Sequence, residues 1–202
     1  MKNLIIIGIP RAGKTTLAQT VAREIGAAGH AVSVVSADAL VGGLTQVYKR
    51  NLFYAGFIRP LKHVFRFLDR QYTARLIRDL HIMAGRFLNE QADVSTVIYE
   101  DAYLTVDRAI KLFDKKRFKI VAIGYPNANP DEKMTDIRRH DGNTPANRMD
   151  DAELRKFVDA MMDNSRRLAH DAKKCKIPFI DTSVDYRGAI DDFAKNVIKF
   201  LK

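Results

Sequence analysis

Residues 8–16 read GIPRAGKTT, directly after the apolar run LIII at 4–7 and directly before LAQTVAREIGAAG at 17–29. Glycine is the residue a chain uses where the backbone must leave the conformations open to other L-residues, and two of them stand here at the exit of an apolar run. Beyond Lys14, Leu17, Val21 and Ile25 recur every four positions with Ala18 and Ala22 beside them, and Gly29 follows. That is the stripe of a one-faced helix with its stop signal. The stretch reads as buried strand, tight turn, helix, which opens an α/β fold.

Four more apolar runs have strand character: AVSVVS at 31–36, STVIY at 95–99, FKIVAIG at 118–124 and PFIDT at 178–182. Val and Ile without strict alternation mark parallel strands covered on both faces. Helical patterns separate them. One begins near Pro60 and continues through Leu61, Val64, Phe65, Leu68, Tyr72, Leu76, Leu80, Met83 and Phe87, long enough to leave room for a break near Thr73. Another begins at Asp150 or Asp151, with Glu153 placed to close a capping box on Asp150, and buries Leu154, Phe157, Val158, Met161, Met162, Leu168 and Ala172. Between Tyr125 and Asp150 the chain is polar and rich in Pro, Asn, Asp and Gly, with apolar periodicity only around Met134 and Ile137. It reads as a mobile surface segment.

Composition bounds the rest. The 202 residues are 47% hydrophobic and 29% charged, without repeats or low-complexity tracts, as expected of one ordinary globular domain spanning 1–202. Cys175 is the only cysteine, so neither an intrachain disulfide nor a cysteine-based zinc site can form, and none of the five histidines pairs at metal-ligand spacing. No run approaches the ~20 apolar residues of a membrane span. These features suit a cytoplasmic protein with no membrane partner. The net charge of +10 is concentrated: between Thr45 and Glu90 nine bases face three acids. Lys62, Arg66 and Arg70 fall at i, i+4 and i+8, with Tyr48, Phe53, Tyr54 and Phe57 just before them. The block favours an anionic ligand or remains a solvated basic face.

Gly8 to Thr15 fits GxxxxGK[ST], in the strand-to-helix context the motif requires. At average residue usage a chance match arises in roughly one chain of this length in a hundred, so the turn is read as built for phosphate. Backbone N–H groups from Arg11 to Thr16, with the helix N-terminus behind them, make a nest for phosphate oxygens; Gly8, Pro10, Ala12 and Gly13 shape it. Lys14 would reach the outer phosphates and the Thr15 hydroxyl would bind the Mg2+ that bridges them.

The whole order, from GIPRAGKTT through VVSAD, the basic helical stretch and YED to a polar Arg-bearing segment and DTS, resembles the small P-loop kinases: the nucleoside-monophosphate, shikimate, gluconate and zeta-toxin-like kinases. That resemblance implies a three-layer α/β sandwich with a five-stranded parallel sheet ordered 2-3-1-4-5, ATP with Mg2+ as cofactors, an acceptor-side helical insertion over 42–93 and a lid over 126–150. It also implies that Asp38 orients or deprotonates an acceptor hydroxyl, a place where a helix cap would equally fit. Glu100 or Asp101 would stand near the metal, with Glu100 favoured by the zeta-toxin-like pattern. Arg138, Arg139 and Arg148 are candidate lid cations, and Thr182 and Ser183, after Asp181, would lie near the nucleotide base.

The function so implied is transfer of the terminal phosphate of ATP to a small, anionic acceptor. Two alternatives stand beside it. A polynucleotide-end kinase or other nucleic-acid-associated NTPase is suggested by the basic block and a pI near 9.7. A non-catalytic nucleotide switch is the other, although the NKxD guanine motif of GTPases is absent.

Overall fold

A computed structural model describes residues 1–50, 66–140, 142, 144 and 146–202. Among these, five strands form one parallel sheet: β1 (Asn3–Gly8), β2 (Val32–Ser36), β3 (Thr96–Asp101), β4 (Phe118–Gly124) and β5 (Phe179–Asp181), in the order β2-β3-β1-β4-β5. The expected runs and order are both present. Register pairs Ile6 with Glu100 and Gly8 with Ile123, while Ser36 faces Glu100 from the other side of β3. The C-terminal ends of β1, β2 and β3 are thereby brought level.

The run LIII is apolar throughout because both faces of β1 are covered. Leu4 and Ile6 belong to one core cluster, with Leu17, Val21 and Ile25 of α1 (Lys14–Ala27), Leu154 and Val158 of α6 (Asp151–Lys174), and Ile190 and Val197 of α7 (Tyr186–Phe200). Ile5 and Ile7 belong to the other, with Leu80 and Leu88 of α3 (Arg66–Gln91) and Ala109 of α4 (Val106–Leu112). All four residues of the run are fully buried. The helix α7 was not expected, although Ile190, Ala194 and Val197 carry its stripe; Asp185 caps it, accepting from Gly188 N at 2.8 Å.

Between β2 and β3 lie α2 (Ala37–Arg50) and α3. The helix α3 runs unbroken through Thr73, because nothing in RQYTARL removes a backbone donor or a side chain from the stripe. The Tyr48 hydroxyl of α2 donates to Asp79 of α3, and Arg75 and Arg78 also face that carboxylate. Part of the basic block is therefore neutralised within the fold. The expected start at Pro60 and the side chains of the stripe at Lys62, Arg66 and Arg70 lie outside the described residues.

The polar segment differs more from expectation. It contains a regular helix, α5 (Pro130–His140), and a short 3-10 turn at Ala146–Arg148. Pro130 begins α5 where its missing N–H costs nothing, and acidic Asp131 and Glu132 at the start with Arg138, Arg139 and His140 at the end match the helix dipole. A single buried residue, Ile137, anchors it, which is why periodicity was faint. The expected capping box opens α6: Asp150 accepts from Glu153 N at 2.8 Å and Glu153 accepts from Asp150 N at 3.3 Å. Asp150→Ala should lower unfolding free energy by about 1 kcal/mol, measured by chemical denaturation, with no change in ligand affinity.

Candidate active site at the strand ends

The glycine turn is shaped by two close approaches. A Cβ on Gly8 would stand 2.6 Å from the Ile123 carbonyl oxygen and 2.7 Å from its Cγ2, so only glycine lets β1 leave the sheet this near β4. Gly13 has φ of 95° and Arg11 a φ of 64°, both in the left-handed region. Alternation of this kind turns successive N–H groups to one side and makes an anion-binding concavity. Ala12 is fully buried and pins the turn to the core. A Cβ on Gly13 would meet the Tyr186 ring at 2.7 Å, and the Tyr186 hydroxyl donates to Thr16 Oγ1 at 2.9 Å. The start of α7 thus backs the turn.

Lys14 begins α1 and folds back across the turn, its Nζ donating to the Ile9 carbonyl at 3.0 Å. Burial lowers its pKa from the ordinary lysine value, opposed by the charges of Glu100, Asp38 and Asp101. An ammonium held away from water against three carboxylates is prepared to meet further negative charge. Next to it, Thr15 Oγ1 lies 3.0 and 2.9 Å from the two carboxylate oxygens of Glu100, which is 5% exposed at the tip of β3.

The neighbouring acid is turned elsewhere. Asp101 Oδ2 accepts from the Tyr99 hydroxyl at 2.7 Å, and Oδ1 accepts from Tyr103 N at 2.6 Å and Leu104 N at 3.0 Å. His81 of α3 brings Nε2 to 3.3 Å from Oδ2. Adjacent residues in a strand point to opposite faces, so Glu100 meets Thr15 while Asp101 holds the loop after β3. Its expected place beside a metal is at odds with this geometry. Asp38 lies within the first turn of α2, in the cleft wall with Glu100 and Tyr103.

The arginines of the expected lid segment lie apart from the cleft face of α5. Lys133, Asp136, Ile137 and His140, spaced i, i+3, i+4 and i+7, form the face of α5 that lines the cleft. Arg138 and Arg139 fall on the other faces. Arg138 donates to the carbonyls of Asn147 and Met149, both at 2.7 Å, and pairs with Asp151 at 2.8 Å, bracing α5 against the entry of α6. Arg139 and Arg148 are likewise not in the cleft wall. Instead Lys133 reaches the turn: its Nζ donates to the Arg11 carbonyl at 3.1 Å and sits 4.3 Å above the Tyr125 ring, whose hydroxyl donates to the Pro10 carbonyl at 3.1 Å. A helical wheel over 130–140 would have found Lys133, had the segment been read as a helix.

After β5, the Thr182 hydroxyl donates to the Gly124 carbonyl at 3.1 Å and lies 3.4 Å from the Ala12 carbonyl. Ser183 accepts from Asn127 N at 2.9 Å, and its own N–H donates to Asp181 at 2.9 Å. Both residues line the cleft together with Pro10, Arg11, Gly13, Lys14, Thr15 and Thr16. The cleft has a volume of about 1400 Å3 and runs from Asp38 and Tyr103, across the glycine turn, to Ser183 and Val184 beneath α5. Among the described residues no cluster of three His, Cys, Asp or Glu suits a metal, and no helix is long and apolar enough to cross a membrane.

No protein-family profile and no curated protein matches the sequence. Solved structures do match the fold. A shikimate kinase from Bacteroides thetaiotaomicron aligns with a TM-score of 0.54 at 16% identity, over 99% of this chain and 98% of its own. A shikimate kinase from Acinetobacter baumannii, solved in complex with shikimate, gives 0.53 at 15%, over 99% and 92%. A gluconokinase from Sinorhizobium meliloti gives 0.51 at 12%, over 100% and 98%. The chain has the fold of the P-loop kinases, with the sheet order 2-3-1-4-5 that its sequence resemblance implied.

Proposed function

We propose that this chain is an ATP-dependent phosphotransferase whose acceptor is a small, hydroxyl-bearing and anionic molecule. The observation that carries the reading is the Thr15–Glu100 pair, at 2.9 and 3.0 Å, beside the desolvated ammonium of Lys14 at the mouth of a left-handed glycine turn. One hydroxyl and one carboxylate are the protein donors that suit Mg2+, which keeps several waters and takes phosphate oxygens for the rest. Bound Mg-ATP would supply the transferable phosphoryl group and the divalent charge that offsets it.

The chain's own groups then divide the work. The turn from Arg11 to Thr16 binds phosphate oxygens through backbone N–H groups, and Lys14 neutralises charge on the outermost of them. Glu100 holds the Thr15 hydroxyl in place and would accept from waters on a bound Mg2+. Asp38, across the β2 and β3 tips, orients the acceptor hydroxyl and accepts its proton. The inner face of α5, led by Lys133, covers the turn and limits water. Thr182 and Ser183 stand at the far end of the cleft for the nucleotide base. An anionic acceptor is favoured by the net charge of +10, and the shikimate kinase and gluconokinase neighbours share the fold.

The experiment is a transfer assay from labelled Mg-ATP across small hydroxy acids, sugars, nucleoside monophosphates and oligonucleotide ends, at 50 and 300 mM salt. Phosphorylation of a small acceptor, little altered by salt, is the expected result. Label appearing on oligonucleotide ends with a steep loss at high salt would move the assignment to a polynucleotide-end kinase. Tight ATP binding without transfer to anything would leave a nucleotide switch.

A further inference from the structure

Arg11 is the strained residue of the glycine turn. Its φ of 64° lies in the left-handed region, which a residue with a Cβ keeps only where its surroundings over-determine the backbone. Two donors do so here. The carbonyl of Pro10, just before Arg11, accepts from the Tyr125 hydroxyl at 3.1 Å, and the carbonyl of Arg11 itself accepts from Lys133 Nζ at 3.1 Å. In a trans peptide the C=O and the following N–H point in opposite directions. The grip on Pro10 therefore sets the N–H of Arg11, and the grip on Arg11 sets that of Ala12. Both belong to the turn read above as a phosphate nest. The turn's own bond from Ala12 N to the Ile9 carbonyl is long, at 3.4 Å, and holds this peptide weakly.

Both donors are fixed by the fold. Tyr125, directly after β4, is 1% exposed, and its ring forms the floor 4.3 Å beneath the Lys133 ammonium. Lys133 projects from the first turn of α5, which is itself tied down: Asn129 Oδ1 accepts from Asp131 N at 2.9 Å, and Arg155 of α6 pairs with the Asp131 carboxylate at 2.6 Å. The cation is placed over Arg11 by α5 and the core together.

We infer that Lys133 is a positioning residue for the phosphate-binding turn, its ammonium holding the Arg11–Ala12 peptide so that the Ala12 N–H is set before a nucleotide arrives. The inference rests on the nucleotide reading of the turn and adds the group that keeps the turn in shape. Without Lys133 the Arg11 backbone is free to relax toward negative φ, and nucleotide must then bind the fraction of molecules whose turn is still formed. Apparent affinity falls by that fraction. A cation acting directly on a bound phosphate behaves differently, because its removal leaves the empty turn as it was.

The test compares Lys133→Met, Lys133→Arg, Arg11→Gly and the Lys133→Met, Arg11→Gly double variant in the full chain. By calorimetry with Mg-ATP and Mg-GTP, Lys133→Met should bind the preferred nucleotide about tenfold more weakly, the scale of one hydrogen bond to a charged group. Lys133→Arg should recover most of the loss, since a charged donor remains. Glycine adopts positive φ readily, so in the Arg11→Gly background the Lys133→Met change should cost little further. With no nucleotide present, the amide 1H–15N resonances of Ala12 and Gly13 should move in Lys133→Met and return toward their wild-type positions in Lys133→Arg.

Wild-type affinity in Lys133→Met would overturn the inference. So would a tenfold loss with the Ala12 and Gly13 amides of the empty protein unmoved, or an equal loss in the Arg11→Gly background; either would make Lys133 a direct phosphate ligand. All three outcomes leave the nucleotide reading standing. No heat from either nucleotide with the wild-type chain would remove that reading and the inference with it.

Discussion

Replacing Lys14 by methionine should reduce phosphate transfer by roughly a thousandfold, the upper scale for losing one preorganised electrostatic group at a charged transition state. The stem of the side chain is kept, so the turn and the start of α1 are undisturbed. The lost ammonium is drawn out of water and set against Glu100 and Asp38. Its effect on stability has the opposite sign. A lysine whose pKa in the fold lies below its unfolded value binds its proton less tightly when folded, so its charge costs stability at neutral pH. The methionine variant should accordingly melt no lower than the wild type while it fails to turn over. Activity within tenfold of wild type would take Lys14 out of the mechanism; an inactive protein that also melts far lower would show a structural role instead.

The second large effect concerns the two adjacent acids at the end of β3. Glu100→Gln keeps the shape and an acceptor for Thr15 Oγ1 but removes the charge. Turnover should fall about a hundredfold and the Mg2+ concentration for half-maximal rate should rise at least tenfold, as expected when a carboxylate beside a hydrated metal is neutralised. Asp101→Asn should behave otherwise. That carboxylate accepts from Tyr99, Tyr103 and Leu104 inside the protein, so the amide should lower the melting temperature with little shift in Mg2+ dependence. A Mg2+ titration on both variants decides the matter, and an exchange of the two phenotypes would reverse the assignment.

Much of this site was legible before any coordinates, for identifiable reasons. The turn at 8–16 announces itself because two positions tolerate nothing but glycine and the next must carry a cation, constraints of backbone geometry and charge that act within nine residues. The strand runs were equally plain, since a sheet covered on both faces leaves β1 no polar position between Leu4 and Ile7. Sheet order came with the resemblance rather than from the runs themselves.

What stayed hidden depends on contacts distant in sequence. Glu100 and Asp101 are chemically similar neighbours, and only the register of β3 against β1 decides which of them meets Thr15. The lid helix has one buried residue, Ile137, too few for a periodic signal, so its arginines drew attention and Lys133 did not. Arg138 is spent on the carbonyls of Asn147 and Met149, which no local pattern reveals.

Every role given to Lys14, Asp38 and Glu100 requires that the turn from Arg11 to Thr16 receive the phosphates of a nucleoside triphosphate. Calorimetric titration of the wild-type chain and Lys14→Met with Mg-ATP and Mg-GTP tests it most directly. Saturable one-site heat for the wild type with at least one of the two nucleotides, lost or sharply weakened in the variant, is the predicted result. No heat from either nucleotide with folded wild-type protein would contradict it.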